Sequence, residues 1–402
     1  MKVLQLCNKP PLPQADGGTM ASHAVTAGLL DAGCRVKLLC IATQKHPFLP
    51  GKMPDDWKKA TEIEAVFADT RVKVWPAFFN LFGSGSYNIS RFYSKAFDEK
   101  LAALLQRETF DIVHLESLYM TPYLATIRRY SKAPVVLRAH NVEHLLVERL
   151  AKNEKKFLEK KYLAFLARRL RNYEANVLPR IDGLITITQK DAGLFRDMHV
   201  QSPVHVLPFA MPLPAMPDVK PEPLSVFHLG SMDWKPNLEG VHWLLHEVWP
   251  LVLREEPGAT LHLAGRRMPG ELMNGNFRGV KMHGEVDDTH HFMARFGIMA
   301  VPLFSGGGMR VKIVEGMALG KAIVSTTIGM EGIEAENGVQ AAVADDAKTF
   351  AQTLIRLLRS PAKAEEMGKA ARDFAGNFFD REKATGKLLD FYGQLSAVEI
   401  KE

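Results

Sequence analysis

The chain has 402 residues, 47% of them hydrophobic and 24% charged, with a formal net charge of +6. That balance is ordinary for a water-facing globular protein of two domains, and it argues against a disordered or fibrous chain. No apolar run reaches the roughly 18 residues that a membrane-spanning helix needs, and the mild positive excess fits an anionic substrate or membrane surface without calling for nucleic acid.

In chain order, MKVLQLCNKP has one lysine ahead of an apolar core too short for a secretory signal, so it reads as a buried first strand at residues 3–6. Residues 8–18 hold three prolines and then Gly17-Gly18. Thr19 is placed to cap a helix running to about residue 30, closed by Gly33. A second strand follows at 36–41. This βαβ opening has no G-x-G-x-x-G, so a dinucleotide dehydrogenase is unsupported. Cys7, Cys34 and Cys40 are odd in number and lack metal-type spacing, which suggests reduced, buried thiols in the cytosol.

Residues 75–93 carry seven aromatics and little charge. They read either as a helix and loop packed on the core or as a lip that meets an acceptor or a membrane. Residues 110–115 and 134–137 are buried parallel strands. The second runs into Arg138-Ala139-His140-Asn141-Val142-Glu143, and functional residues gather at such carboxyl ends. A long helix is expected over 142–178. Between Lys152 and Arg171 it carries eight Lys or Arg against two Glu, with Leu158, Tyr162, Phe165 and Leu166 at helical spacing. The expectation is an amphipathic helix packed on the sheet; the alternative is an interfacial helix drawn to anionic lipid. After strands at 183–188 and 204–207, six prolines in 208–223 mark an extended domain connector.

The second half restarts with a strand at 225–229 and the turn Gly230-Ser231-Met232-Asp233-Trp234-Lys235-Pro236-Asn237. A helix at 238–254 follows, then a strand at 260–264 that ends in Gly265-Arg266-Arg267. Asp287-Asp288 reads as a helix start, and no D-x-D suggests a metal. Next, an apolar run at 298–303 meets Gly306, Gly307 and Gly308, then an amphipathic segment with Arg310, Lys312 and Glu315, then a β-branched run at 323–327. Strand, glycine loop, helix, strand is a phosphate-binding order: glycines admit a ligand to the backbone, and the free N–H groups of a helix start favour an anion. Two cations in that first turn oppose the helix dipole unless an anion sits there. A last strand at 339–343, a cap at Asp345 or Asp346, and helices at 362–376 and 381–395 complete the chain.

Glu315-Gly316-Met317-Ala318-Leu319-Gly320-Lys321-Ala322-Ile323-Val324 resembles the E-A-M-A-x-G-x-P-V-V pattern of the retaining family 4 glycosyltransferases. Their first glutamate would fall at Gly307, so the chain resembles a subgroup reading G-x-R-x-K-x-x-E. The resemblance implies an α/β GT-B architecture: two Rossmann-like α/β/α domains facing a central cleft, with an acceptor-binding domain at 1–207, a linker at 208–223, a nucleotide-sugar domain at 224–378 and a helix at 379–402 crossing back. It implies that Gly17 and Gly18 approach the donor phosphate, that His140 faces the donor sugar, that Lys235 and Arg266 stand in phosphate-facing turns, and that Glu331 belongs to a G-x-E-G donor motif. His140, Arg310 and Lys312 are then the catalytic candidates. Gly306, Gly307 and Gly308 supply backbone donors, and Glu315 holds the ribose.

The expected activity is sugar transfer with retention from a nucleotide-diphospho-sugar to a glycan or lipid-linked acceptor, in cell-surface polysaccharide or glycolipid synthesis. No cofactor, metal or nucleic acid is expected. A cytoplasmic location at the inner membrane face is. Two alternatives share the phosphate chemistry: an epimerase or phosphorylase-like GT-B enzyme, and a non-catalytic nucleotide-sugar-binding protein.

Overall fold

The structure is a computed structural model that describes residues 1–14, 16–71, 86–154, 156–215, 219–306 and 308–398. Gly307 and most of the aromatic stretch at 75–93 lie outside the described residues. The chain forms two compact units, Met1–Ala210 with Arg381–Glu402, and Met211–Asp380.

The first unit is built on seven parallel strands: β1 (Lys2–Cys7), β2 (Arg35–Ala42), β3 (Glu64–Phe67), β4 (Ile112–Glu116), β5 (Val135–Ala139), β6 (Gly183–Thr186) and β7 (Val204–Val206). Their order is β3-β2-β1-β4-β5-β6-β7. Both faces of the sheet are covered, so the central strands are buried end to end, as apolar parallel strands are. Successive residues still divide between the faces. Leu4 and Leu6 pack with Phe97, Leu101 and Tyr123, while Val3 and Cys7 pack with Val25 and Leu29 of helix α1 (Gly17–Asp31). The C-terminal helix, Arg381–Val398, lays Leu388, Phe391, Tyr392 and Leu395 on this second face. A Cβ at Gly183 would come within 2.7 Å of Leu395, so the glycine admits that helix.

Three expectations are corrected here. Thr19 does not cap α1. Asp16 does, accepting from the Thr19 amide, while the Thr19 hydroxyl accepts from the Asp16 amide in a capping box, and Gly17 and Gly18 become the first helical residues. The helix expected at 142–178 is two, α2 (Glu143–Asn153) and α3 (Phe157–Val177), folded against each other. One helical period runs through both sequences because each needs an inner face, so the reversal leaves no break in the pattern. Leu158, Tyr162 and Phe165 do not pack on the sheet; they are 79%, 41% and 40% exposed.

The second unit has six parallel strands: β8 (Ser225–Leu229), β9 (Thr260–Ala264), β10 (Val280–Gly284), β11 (Ile298–Val301), β12 (Ala322–Ser325) and β13 (Ala342–Val343), in the order β10-β9-β8-β11-β12-β13. Its core joins Val226, Leu261, Ala300 and Val324 to Trp249, Phe350 and Leu354. The strand expected at 339–343 shrinks to two residues. Strands β3 and β10 went unread because their residues are partly exposed and make no continuous apolar run. Asp288 and Asp346 do cap helices. Cys7, Cys34 and Cys40 are free and buried.

Candidate functional site

In a doubly wound parallel sheet, ligands bind beyond the carboxyl ends of the strands where the order reverses. In the second unit that point lies between β8 and β11. Two helices start there: α4 (Lys235–Trp243) after β8 and α5 (Val311–Ala318) after β11. Neither has a side-chain N-cap or an acidic residue in its first turn. The first amides of α5 remain available to an anion, whereas in α4 Pro236 has no amide and Asn237 donates its own to the Trp234 carbonyl at 2.9 Å.

The turn after β8 is held tightly. Met232 donates its amide to the Arg266 carbonyl at 2.9 Å, and Gly230 to Ala264 at 3.0 Å. Gly265 has φ +154, and a Cβ there would lie 1.7 Å from the Gly230 oxygen, so only glycine lets the turns after β8 and β9 meet. Asn237, 5% exposed, donates to the Ser231 carbonyl at 2.9 Å and accepts from Lys312 Nζ at 2.7 Å. The glycine loop after β11 lies against this turn: a Cβ on Gly306 (φ +97) would come within 2.8 Å of the Trp234 ring. The Arg310 guanidinium stands 5.2 Å from the same ring.

Arg310 and Lys312 are therefore not solvated surface cations. Arg310 is 6% exposed, and burial lowers its pKa while the charge of Glu331 supports the cation. Burial, with repulsion from Arg310, brings the Lys312 ammonium down to about 7. Burial raises the Glu315 carboxyl, offset in part by His290. The expected residues Arg310, Lys312 and Gly306 thus gather around Trp234 and Asn237, two residues of the β8 turn that the sequence reading did not single out, and Glu331 acts on Arg310 through its charge. Lys235 is exposed and faces Glu239 at 3.6 Å. Arg266 is exposed and enters the arrangement through its carbonyl. Both stand at the rim of the site. Gly308 has φ +82 and open space around it.

In the first unit the order reverses between β1 and β4. Glu116, fully buried at the end of β4, collects four donors there. Gln5 Nε2 lies 3.0 Å away, His114 Nε2 3.1 Å, Arg138 Nη1 3.3 Å and His140 Nε2 2.7 Å. Burial opposes the charge, but Arg138, His114 and His140 outweigh it and hold the carboxyl well below its usual range. An ionised Glu116 only accepts, so His140 carries its proton on Nε2 and Nδ1 is left as an acceptor. Burial lowers the His140 pKa against the pull of Glu116, so the ring is mainly neutral near pH 7. Lys9, in the loop after β1, pairs with Asp16 at 2.7 Å, and its charge reaches His140. Gly18 sits under that lysine, since a Cβ would meet Nζ at 2.7 Å; Gly17 has open space. Glu143 accepts from Tyr119 at 2.9 Å, and burial raises its carboxyl to about 7. Glu116 was missed. Its signal was a lone carboxylate closing the apolar strand sequence DIVHLE.

Two parallel Rossmann-like sheets, each with polar loops at its switch point, define the GT-B class of fold. Solved structures agree. Over 98% of this chain and all of the other, the fold is similar to HepE of Anabaena, solved in complex with UDP, with a TM-score of 0.67 at 14% identity. Sucrose-phosphate synthase of Thermosynechococcus elongatus gives 0.68 at 16% identity over 99% of this chain and all of the other. A glycosyltransferase of Rickettsia africae gives 0.63 at 16%, over 98% of both. The Glycosyltransferase Family 4 model matches residues 16–211, and the Glycosyl transferases group 1 model matches 223–360. The chain is a glycosyltransferase of family 4. A protein described as an uncharacterized 44.6 kDa protein in the cps region of Klebsiella pneumoniae is 24% identical over 303 residues, 72% of this chain and 76% of its own length. No helix among the described residues is long and apolar enough to cross a membrane.

Proposed function

We propose that this enzyme moves a sugar from a nucleoside-diphospho-sugar to a glycan or lipid-linked acceptor with retention of configuration, in building a cell-surface polysaccharide or glycolipid. The observation that carries the reading is the pair of buried Arg310 and half-buried Lys312 at an uncapped helix start, against a glycine loop. Two cations withdrawn from bulk solvent at the positive end of a helix dipole favour a doubly charged anion. A nucleoside diphosphate is such an anion. As the bond from C1 of the sugar to the diphosphate oxygen breaks, charge grows on the leaving group. Arg310, Lys312 and the first amides of α5 meet it in place, without solvent reorganisation. The bond from C1 to the acceptor oxygen forms, and the acceptor hydroxyl passes its proton to the departing diphosphate oxygen.

These fixed cations are also why we propose that no metal and no cofactor is needed. Glu315 serves the ribose hydroxyls, and Nδ1 of His140 accepts from a hydroxyl of the donor sugar. Uridine as the base is supported by HepE, by TarM of S. aureus and by pneumococcal GtfA, each solved with UDP. The cps-region description of the Klebsiella relative supports a surface polysaccharide.

The test is thermal unfolding against UDP, GDP, ADP and their sugar conjugates, followed by product analysis with EDTA present. A ligand at about 100 times its dissociation constant adds roughly 2.7 kcal/mol. A shift with one base identifies the donor class. No shift with any base removes the donor assignment.

A further inference from the structure

The α2–α3 hairpin has an outer face of apolar side chains that are exposed among the described residues. Leu150, near the end of α2, is 60% exposed; in the first turns of α3, Phe157 is 66%, Leu158 79%, Tyr162 41% and Phe165 40% exposed. These are not scattered surface residues. Phe157 and Phe165 are two turns apart, Leu158 and Tyr162 one turn apart, so all four share one stripe of the helix. The opposite stripe holds Ala167, Leu170, Glu174 and Val177, which are buried. Helix α3 thus has two apolar faces, and the unit's own core uses one.

The outer face is ringed by cations. Lys161 lies over the Phe157 ring at 4.4 Å, and Arg169 over Phe165 at 5.4 Å. Residues Lys152 to Arg171 hold eight cations and two carboxylates, an excess as large as the +6 of the whole chain. One of the two carboxylates, Glu159, is taken up by Lys156 at 2.8 Å. An acidic partner protein would satisfy the charge but gives no reason for aromatic rings exposed at the tip. A second copy of the hairpin would set like charges against each other. An anionic bilayer satisfies both features: phosphate headgroups meet the cations, and Phe, Leu and Tyr enter the headgroup–acyl boundary.

We propose that the exposed stripe of α3, with Leu150 of α2, is a peripheral membrane-docking surface for anionic lipid. The hairpin's near end is the polar site of the first unit. Helix α2 begins three residues after His140, and its 11 residues span about 16 Å at 1.5 Å per residue. A lipid-borne acceptor held at the tip would have that distance to travel; this last step rests on the acceptor reading above, whereas the docking itself does not.

The test is co-sedimentation of the full chain with phosphatidylcholine vesicles, with and without phosphatidylglycerol, at low and high salt. Binding is expected only with the anionic lipid, and it should weaken as salt rises. Lys160→Glu with Lys161→Glu should lower the partition coefficient by about fivefold or more per position. Phe157→Ser with Leu158→Ser, Tyr162→Ser and Phe165→Ser should lower it by about tenfold or more at unchanged melting temperature. Equal binding to neutral vesicles, no binding at low salt, or variants that bind like the parent would each overturn the proposal. So would a concentration-dependent dimer in sedimentation velocity that the serine variant abolishes. The nucleotide-induced thermal shift is read on the same proteins without lipid, so loss of docking and loss of the donor reading are separate results.

Discussion

Nε2 of His140 lies 2.7 Å from Oε2 of Glu116, a carboxylate with no exposed surface. That contact sets the tautomer of the histidine and lets a buried negative charge balance Arg138 beside it. Removing one partner of such a group leaves the other uncompensated, typically at a cost of 3–5 kcal/mol. Glu116→Gln is expected to destabilise the protein by about that much in urea denaturation. It should also lower turnover in the folded fraction. The carboxyl's pKa is depressed on folding, so its stabilisation is present above the ordinary carboxylate pKa and disappears as pH falls through the folded value. The mutant's deficit should therefore shrink in acid. A deficit that stays constant with pH would count against an ionised Glu116.

Arg310→Ala is expected to reduce kcat/KM by about 10²–10³, the usual cost of losing one fixed donor from a developing anion. Arg310→Lys should recover little, because lysine lacks the planar fork and the stacking on Trp234. Steady-state kinetics settle it: an alanine variant with parental turnover and donor affinity removes the phosphate role.

Lys312 makes a calorimetric prediction. Its pKa is about 7 in the free protein, and a bound diphosphate raises it. Binding near pH 8 should therefore take up protons, and the apparent enthalpy should vary with the ionisation enthalpy of the buffer. Lys312→Met should bind more weakly and lose that dependence. For stability the direction is the same as for the depressed Glu116 carboxyl, because in both cases the unfolded chain binds more protons: a lysine depressed from 10.5 to about 7 makes the fold more stable as pH rises through that window. An enthalpy identical in all buffers would mean Lys312 does not titrate with ligand.

Glu143 is raised by burial to about 7. Its native form therefore holds a proton that the unfolded chain gives up at lower pH, and stability falls between the ordinary carboxylate pKa and 7. Glu143→Gln should raise the melting temperature at pH 8, by a free energy on the order of 1 kcal/mol, and do little at pH 4. Scanning calorimetry at the two pH values checks it; equal effects at both would refute a raised pKa.

Gly265→Ala tests the junction of the turns after β8 and β9. Its Cβ would meet the Gly230 oxygen at 1.7 Å. The strain should cost about 1–3 kcal/mol. Because Gly230 leads directly into the Trp234–Asn237 turn, donor-induced thermal shift should fall as well. Full stability with full ligand response would show that the two turns move apart freely.

The chain's own order of residues determined the class of fold and the location of the glycine loop after β11. Buried parallel strands must be nearly all apolar, so DIVHL, PVVL and VFHL stand out against their flanks, and Gly306 with Gly308 marks a backbone with positive φ. The edge strands β3 and β10 were illegible for the same reason reversed, since half-exposed residues leave no run to read. The order of strand, glycine loop and helix also singled out Arg310 and Lys312, and the family resemblance added His140 and Glu331. What it left undecided was company and burial. That Lys312 meets Asn237, 75 positions away, that Trp234 lies against Gly306, and that Glu116 gathers Gln5, Arg138 and His140 follow only when strands 20 to 110 residues apart become neighbours in a sheet. The α2–α3 hairpin shows the limit most plainly. Helical period says that Leu158 and Tyr162 share a face, and only packing decides whether that face looks inward or to solvent, because both outcomes place the same residues four apart.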